Sequence, residues 1–229
     1  MTVDPISAIG LSLSVATAAT ALAFPPAVLV AWALARWRFR GKSALTAVVT
    51  APLVLPPVIT GLVLLRLFGR SSPIGAALAD AGVPVVFSWF GAVLAAGVVG
   101  FPLYVLTIRS AFEAVDRRYE EVSLTLGAPP AATWARITLP LSLPGIAAAT
   151  VLAFARALGE FGATAVIAGN IEGKTRTIAL AVYALLDAPD GEAQARPLVL
   201  ASFALSFGAL ALFELLVRRQ RVRLDLEDG

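Results

Sequence analysis

Apolar residues run along this chain in stretches too long for the core of a soluble domain, and short polar or basic segments separate them. The runs at 6–34, 44–68, 83–108, 139–161 and 197–217 each reach the ~20 residues needed to cross a ~30 Å hydrocarbon core. All five are expected to be helices, because a backbone in lipid must satisfy its own hydrogen bonds. The fold class is therefore an all-α polytopic membrane protein with about five transmembrane helices. No basic segment precedes the first run, which is also longer than a signal-peptide core, so it is read as a retained span. The run at 177–186 is too short to span and reads as a re-entrant or interfacial helix packed on protein. Residues 69–82 read as a short loop, and Asp187, Ala188, Pro189, Asp190 and Gly191 as a turn. With neither a repeat nor a low-complexity linker, residues 1–229 are expected to form a single transmembrane domain.

The basic residues add orientation. Arg36, Arg38, Arg40 and Lys42 follow the first run, Arg109, Arg117, Arg118 and Arg136 lie between the third and fourth, and Arg218, Arg219, Arg221 and Arg223 follow the fifth. Alternation puts all three groups on one side, and the positive-inside rule makes that side cytoplasmic. The N-terminus is then expected outside and the C-terminus inside a bacterial or archaeal plasma membrane. These charges read as topology anchors, and no nucleic-acid partner is expected.

Composition narrows the chemistry. Apolar residues make up 59% of the chain and charged ones only 14%, against about 25% charged in ordinary soluble domains. Membrane lipid is thus the expected solvent. The chain has no cysteine and no histidine, which excludes disulfides, thiolate chemistry and zinc or haem sites built on those residues. No catalytic residue, cofactor or metal site is expected, and an enzyme is not.

The polar connection at about 109–138 is the informative one. Phe112, Val115, Tyr119, Val122 and Leu126 recur at helical spacing and predict one amphipathic helix, with Arg117, Glu121 and Leu124 on its other face. Arg117 and Glu121 are spaced for an i,i+4 pair. Gly127 stops this helix, and Pro129-Pro130 opens a second short one through Trp134. A helix–glycine–helix elbow is a compact knob, and a helix seated in a partner's groove is a means by which a soluble motor can grip a membrane domain.

Glu121-Val122-Ser123, then Gly127, nine intervening positions, and Ile137-Thr138-Leu139-Pro140 resemble the "EAA" loop of ABC importer permeases, with Val122 and Ser123 standing where that family has alanines. The resemblance implies a type I ABC importer permease fold, in which Glu121, Gly127, Ala128, Pro130 and Trp134 contact an ATPase subunit. Further on, 154–164 (with Arg156, Gly159-Glu160-Phe161-Gly162), 169–177 (Gly169-Asn170-Ile171, Gly173-Lys174-Thr175, Thr177) and Ala181 with Tyr183 resemble the molybdate permease branch. Sulfate and thiosulfate permeases share the first half of that pattern. The resemblance covers about 35–217. It implies import of molybdate or tungstate, two cytoplasmic ABC ATPase subunits and an extracytoplasmic oxyanion-binding protein. A homodimer is expected as well, since one five-span chain is small for a gated path and two-fold pairs are the commonest closed assembly.

Candidate path residues are Pro57, Thr60, Gly61, Arg156 and Glu160. Pro56-Pro57 would interrupt the second span, and half-helix N-termini attract anions; the same break also reads as a packing kink. Arg156 and Glu160 are spaced to pair within a span, either bordering a path or as a structural pair, and Glu214 with Arg218 repeats the spacing as a structural pair. Gly173-Lys174-Thr175 resembles the end of a phosphate-binding loop, but Ala168 stands where its first glycine belongs, so nucleotide binding by this chain is not expected. An ATPase-independent secondary transporter and a sulfate or thiosulfate permease are the rival functions.

Overall fold

The computed structural model describes residues 4–186 and 188–225, with side chains described as far as Arg218. Among them every regular element is helical: α1 Pro5–Arg36, α2 Lys42–Val54, α3 Pro57–Phe68, α4 Pro73–Asp80, α5 Trp89–Glu113, α6 Arg117–Thr125, α7 Pro130–Thr133, α8 Leu139–Leu158, α9 Gly162–Ile167, α10 Ile178–Leu185 and α11 Gly191–Asp225. A π-helical turn, Trp134–Thr138, joins α7 to α8. Four stretches are long and apolar enough to cross a membrane: Pro5–Arg36, Trp89–Glu113, Pro130–Leu158 and Gly191–Arg218. The pair α2–α3, bent by 112°, supplies a fifth if counted as one span.

α5 is the central helix, flanked by α1 and α8; α11 packs on α8, and α3 on α9. Small residues build the centre: Ala16 and Ala19 of α1, Ala92, Ala95 and Ala96 of α5, and Ala148 and Ala149 of α8 are all buried. Lipid tails compete with any apolar contact, so close approach of backbones, which small side chains allow, holds such bundles together. Larger side chains fill one end, where Leu34, Tyr104, Ile108 and Phe112 are enclosed. The Tyr104 hydroxyl and Thr150 Oγ1 lie 2.8 Å apart across α5 and α8. α11 is the least enclosed of the long helices.

Several expectations shift. The third span starts at Trp89 rather than 83, because the Ser88 hydroxyl accepts from the Gly91 N–H and sets the helix start. Residues 69–82 are not merely a loop: Ser72 caps α4 through the Gly75 N–H at 2.9 Å, with Pro73 in its first turn. The fourth span ends at Leu158, ahead of 161. The stripe from Phe112 to Leu126 does not lie on one helix. Asp116, in extended conformation, caps Arg118 N at 2.9 Å and starts α6 as a separate helix. Arg117 does not pair with Glu121; its guanidinium reaches Ala35 O at 3.3 Å.

The short helix at 177–186 appears as α10, seated among Ala8, Ala195 and Leu198 from α1 and α11. Its first N–H, from Ile178, donates to Ser12 Oγ at 2.7 Å. Of the turn before α11, Asp187 lies outside the described residues, as do the side chains of Arg219, Arg221 and Arg223. Arg218 and Glu214 pair at 2.8 Å.

Candidate functional site

Two regions hold the candidate residues. The first is the elbow formed by α6, α7 and the π turn. Gly127 ends α6 with φ +86°, where a Cβ would be strained, while nothing lies within 4 Å of its position. Gly127 N donates to Leu124 O at 3.0 Å and Ala128 N to Ser123 O at 3.1 Å, the two bonds of a Schellman ending. Pro129 and Pro130 then start α7, with Pro129 O accepting from Ala132 N and Thr133 N. The serine that departs from the alanine pattern has a task here: Ser123 Oγ and Thr133 Oγ1 are 2.8 Å apart, tying α6 to α7 across the glycine.

The surface of the elbow is apolar where a soluble loop would be polar. Val122 and Leu124 are exposed and Leu126 is 82% exposed, with Glu121 exposed beside them. Gly127 and Pro130 share that open surface, and Ala128 is half-buried. Trp134 points the other way, its ring centroid 6.3 Å from that of Trp32, which itself stands 4.9 Å from Trp37. Two of the three basic stretches therefore meet at one end of the bundle: Arg36 donates to Val115 O at 2.9 Å and Arg117 to Ala35 O at 3.3 Å.

The second region is the broken span and its neighbour. α2 ends at Val54, and Pro57 occupies the first position of α3, so the missing proline N–H costs nothing there. Pro56 O accepts from both Ile59 N at 2.9 Å and Thr60 N at 3.2 Å, which satisfies the backbone that the break frees. α3 lies against α9 at very close range: a Cβ on Gly61 would come within 2.8 Å of the Ala163 backbone, and one on Gly162 within 3.0 Å of Pro57 Cβ. Arg156 Nη1 and Glu160 Oε2 pair at 3.0 Å, with the glutamate buried and the arginine about a third exposed. Glu160 Oε1 also accepts from Ala163 N at 2.9 Å, just past the start of α9.

The structure thus joins two clusters that lie about a hundred residues apart in sequence. Pro57 and Gly61 touch Gly162 and Ala163, and Ala163 is held by Glu160, which holds Arg156. Thr60 is buried in the same junction with no partner on its hydroxyl. Two grooves elsewhere, of about 520 Å³ along α1, α2 and α5 and about 690 Å³ along α1, α5, α8 and α11, have overwhelmingly apolar linings. None of Pro57, Thr60, Gly61, Arg156 and Glu160 faces either of them.

Gly173-Lys174-Thr175 does not form a phosphate cradle. Thr175 Oγ1 is turned inward, accepting from Ile171 N at 3.0 Å and donating to Gly169 O at 3.1 Å. Arg176 is buried between Asn170 Oδ1 at 2.9 Å and Glu172 at 3.3 Å. Sequence reading did not single out Glu120, and it took Arg36 only as a topology anchor and Thr138 only as part of the loop pattern, so their cluster was missed. Arg36 Nη2 lies 3.0 Å from Glu120 Oε1, and Thr138 Oγ1 donates to that same oxygen at 2.7 Å. Their only signal was a second glutamate beside Glu121, with no local hint of which one turns inward.

A helical bundle with four candidate spans, one sharply bent helix pair and an apolar elbow at one end is the architecture of a polytopic membrane protein. Residues 27–222 match the family described as "Binding-protein-dependent transport system inner membrane component", and the chain belongs to that family as a multi-pass inner-membrane permease. The chain is similar to the molybdenum transport system permease protein ModB of Haemophilus influenzae, 48% identical over 220 residues and 96% of each protein. It is also similar to the sulfate transport system permease protein CysT of Salmonella typhimurium, 36% identical over 183 residues, 79% of this chain and 66% of that one. Among solved structures, the fold is similar to that of the MetNI methionine ABC transporter in inward-facing conformations. That match has a TM-score of 0.73 at 14% identity, covering 94% of this chain and 95% of that one.

Proposed function

We propose that this chain is the membrane-spanning subunit of an ATP-driven importer that carries molybdate, or the closely similar tungstate, into the cell by alternating access. The observation that carries the reading is the elbow, a rigid two-helix knob whose outer surface is apolar. Exposed Val122, Leu124 and Leu126 cost solvation unless a partner covers them, and an apolar helix face seated in a groove is a standard docking mode. The partner assigned to it is a cytoplasmic ABC ATPase, one per permease chain, which supplies the hydrolysis that this non-catalytic subunit lacks. Glu121, Gly127, Ala128 and Pro130 form the contact. Trp134, packed on Trp32, anchors the elbow to α1.

The elbow end is placed on the cytoplasmic side, since Arg36, Arg109, Arg117, Arg118 and Arg136 gather there. The N-terminus is then outside and the C-terminus inside. A second copy of the chain supplies the rest of the path. The groove along α1, α2 and α5 is lined by apolar side chains alone, and the one along α1, α5, α8 and α11 offers a dianion only a few hydroxyls, such as Thr17 and Thr20, and no cationic group. The exposed Val58, Ile59, Leu62 and Val63 of α3 are the face assigned to the second copy. The pair of chains forms one transmembrane unit from residues 1–229 of each, with Pro57, Thr60, Gly61, Arg156 and Glu160 beside the passage. A soluble oxyanion-binding protein delivers the substrate from outside. Each of these ligands must favour one conformation of the permease over the other, or it shifts nothing.

Substrate class rests on the 48% identity to the molybdenum permease protein against 36% to the sulfate one. Competition in vesicles carrying the complete importer tests it. Tungstate is expected to suppress uptake of radiolabelled molybdate at concentrations where sulfate does not. Equal suppression by sulfate would move the assignment to a sulfate importer.

A further inference from the structure

The inner face of α6 is polar, the reverse of an ordinary amphipathic helix. Tyr119, Glu120 and Ser123 are the side chains of this helix withdrawn from solvent, while its aliphatic residues Val122 and Leu124 point out. Glu120 is the centre of that face. One of its oxygens takes Arg36 Nη2 at 3.0 Å from the last turn of α1 and Thr138 Oγ1 at 2.7 Å from the π turn that leads into α8. Both arms are enclosed: the side chain of Arg36 is 9% exposed, and Thr138 is buried.

Two bonds from arginine side chains to backbone carbonyls lock the same corner in opposite directions. Arg36 reaches across to Val115 O at 2.9 Å, and Arg117 reaches back to Ala35 O at 3.3 Å. The end of α1 and the α5–α6 corner are therefore clamped by one arginine from each side. The π turn has a local cause as well. Pro140 lacks an N–H and its ring crowds the carbonyl four residues back, that of Arg136, so the helix widens there and Leu139 N bonds to Trp134 O instead. Thr138 sits on this wide turn, where the helix that becomes α8 is least tightly bonded.

We propose that Arg36, Glu120 and Thr138 form a latch through which displacement of α6 moves α1 and α8 together. Glu120, one position before the glutamate of the motif, is then the positioning residue of the relay, and Glu121 belongs to the docking surface alone. A push on the elbow without the latch would bend the chain at Asp116 and at the π turn, the two points where the helices are already interrupted. With it, the force reaches α1 through Arg36 and α8 through Thr138. The proposal rests on the reading of the elbow as the ATPase contact.

The test uses the complete importer reconstituted in vesicles, comparing wild type with E120A, T138V and T138S and reading both ATP hydrolysis and molybdate imported per ATP. In E120A and T138V, hydrolysis is expected to persist while import per ATP falls about tenfold, within the range usual for coupling between sites. T138S, which keeps the hydroxyl, is expected to stay near wild type. A latch that only stabilised the fold would lower melting temperature without moving import per ATP. Wild-type ratios in E120A and T138V would overturn the latch, as would a T138S importer as uncoupled as T138V. Should E120A fail to assemble, T138V, which preserves shape, carries the same two outcomes. A wild-type chain that binds no ATPase would overturn the elbow reading and the latch with it, whereas assembled but fully coupled variants would overturn the latch alone.

Discussion

Gly127 in the elbow and Gly61 at the α3–α9 junction are the same residue used for opposite reasons. Gly127 has open space around it and is required by its positive φ of +86°. Gly61 has ordinary helical backbone and is required because Ala163 Cα and O would lie 2.8 Å from any Cβ. The elbow is shaped by backbone conformation and held by polar bonds such as Ser123 to Thr133. The junction is shaped by contact and held by small residues pressed together. An element outside the lipid can keep its form through hydrogen bonds, whereas in lipid the available grip is closeness of packing.

That contrast can be broken at either end. Gly61→Val is expected to have the largest effect on stability, about 3 kcal/mol, because the atoms it meets are backbone and cannot rotate away. The melting temperature of the purified protein checks this, and an unchanged value would mean that α3 and α9 do not touch so closely. Gly127→Val is expected to cost less, about 1–2 kcal/mol, since only the left-handed conformation is strained. Its effect on uptake should nevertheless be severe, because the elbow loses its turn; Gly127→Asn, which tolerates that conformation, should retain most uptake. Normal molybdate uptake in Gly127→Val would sever the elbow from coupling. Glu160→Gln is expected to be the mildest for folding, about 1 kcal/mol. Its amide oxygen still accepts from Ala163 N, and Arg156, a third exposed, keeps part of its solvation. Reduced uptake with near-normal melting would place the pair beside the passage, and normal uptake with lowered melting would make it structural.

Much of this was legible in the sequence wherever one residue type has one physical meaning. Runs of apolar residues gave the spans, Pro56-Pro57 the broken one, and Gly127 followed by prolines the elbow. Legibility failed where two local signals competed. Phe112, Val115, Tyr119, Val122 and Leu126 have the period of a single helix, but Asp116 caps a new one within it. Of the apolar residues in that stripe, Phe112 and Val115 before the break are buried, whereas Val122 and Leu126 after it point outward. Ser72-Pro73 was hidden in the same way, a helix start inside a stretch that reads as a loop. Glu120 could not be chosen over Glu121 because its partners, Arg36 and Thr138, come from other elements. Likewise, nothing in the local pattern announces that Gly162 and Ala163 press on Pro57 and Gly61.

Because the chain contains no cysteine, a single one placed on the elbow reports without background. Leu126→Cys, at an 82% exposed position, should cross-link to the co-expressed ATPase subunit and resist an impermeant maleimide applied to whole cells from outside. Labelling of that cysteine from the external face, or a functional importer in which it never meets the ATPase, would contradict the elbow's role as the handle that the motor grips.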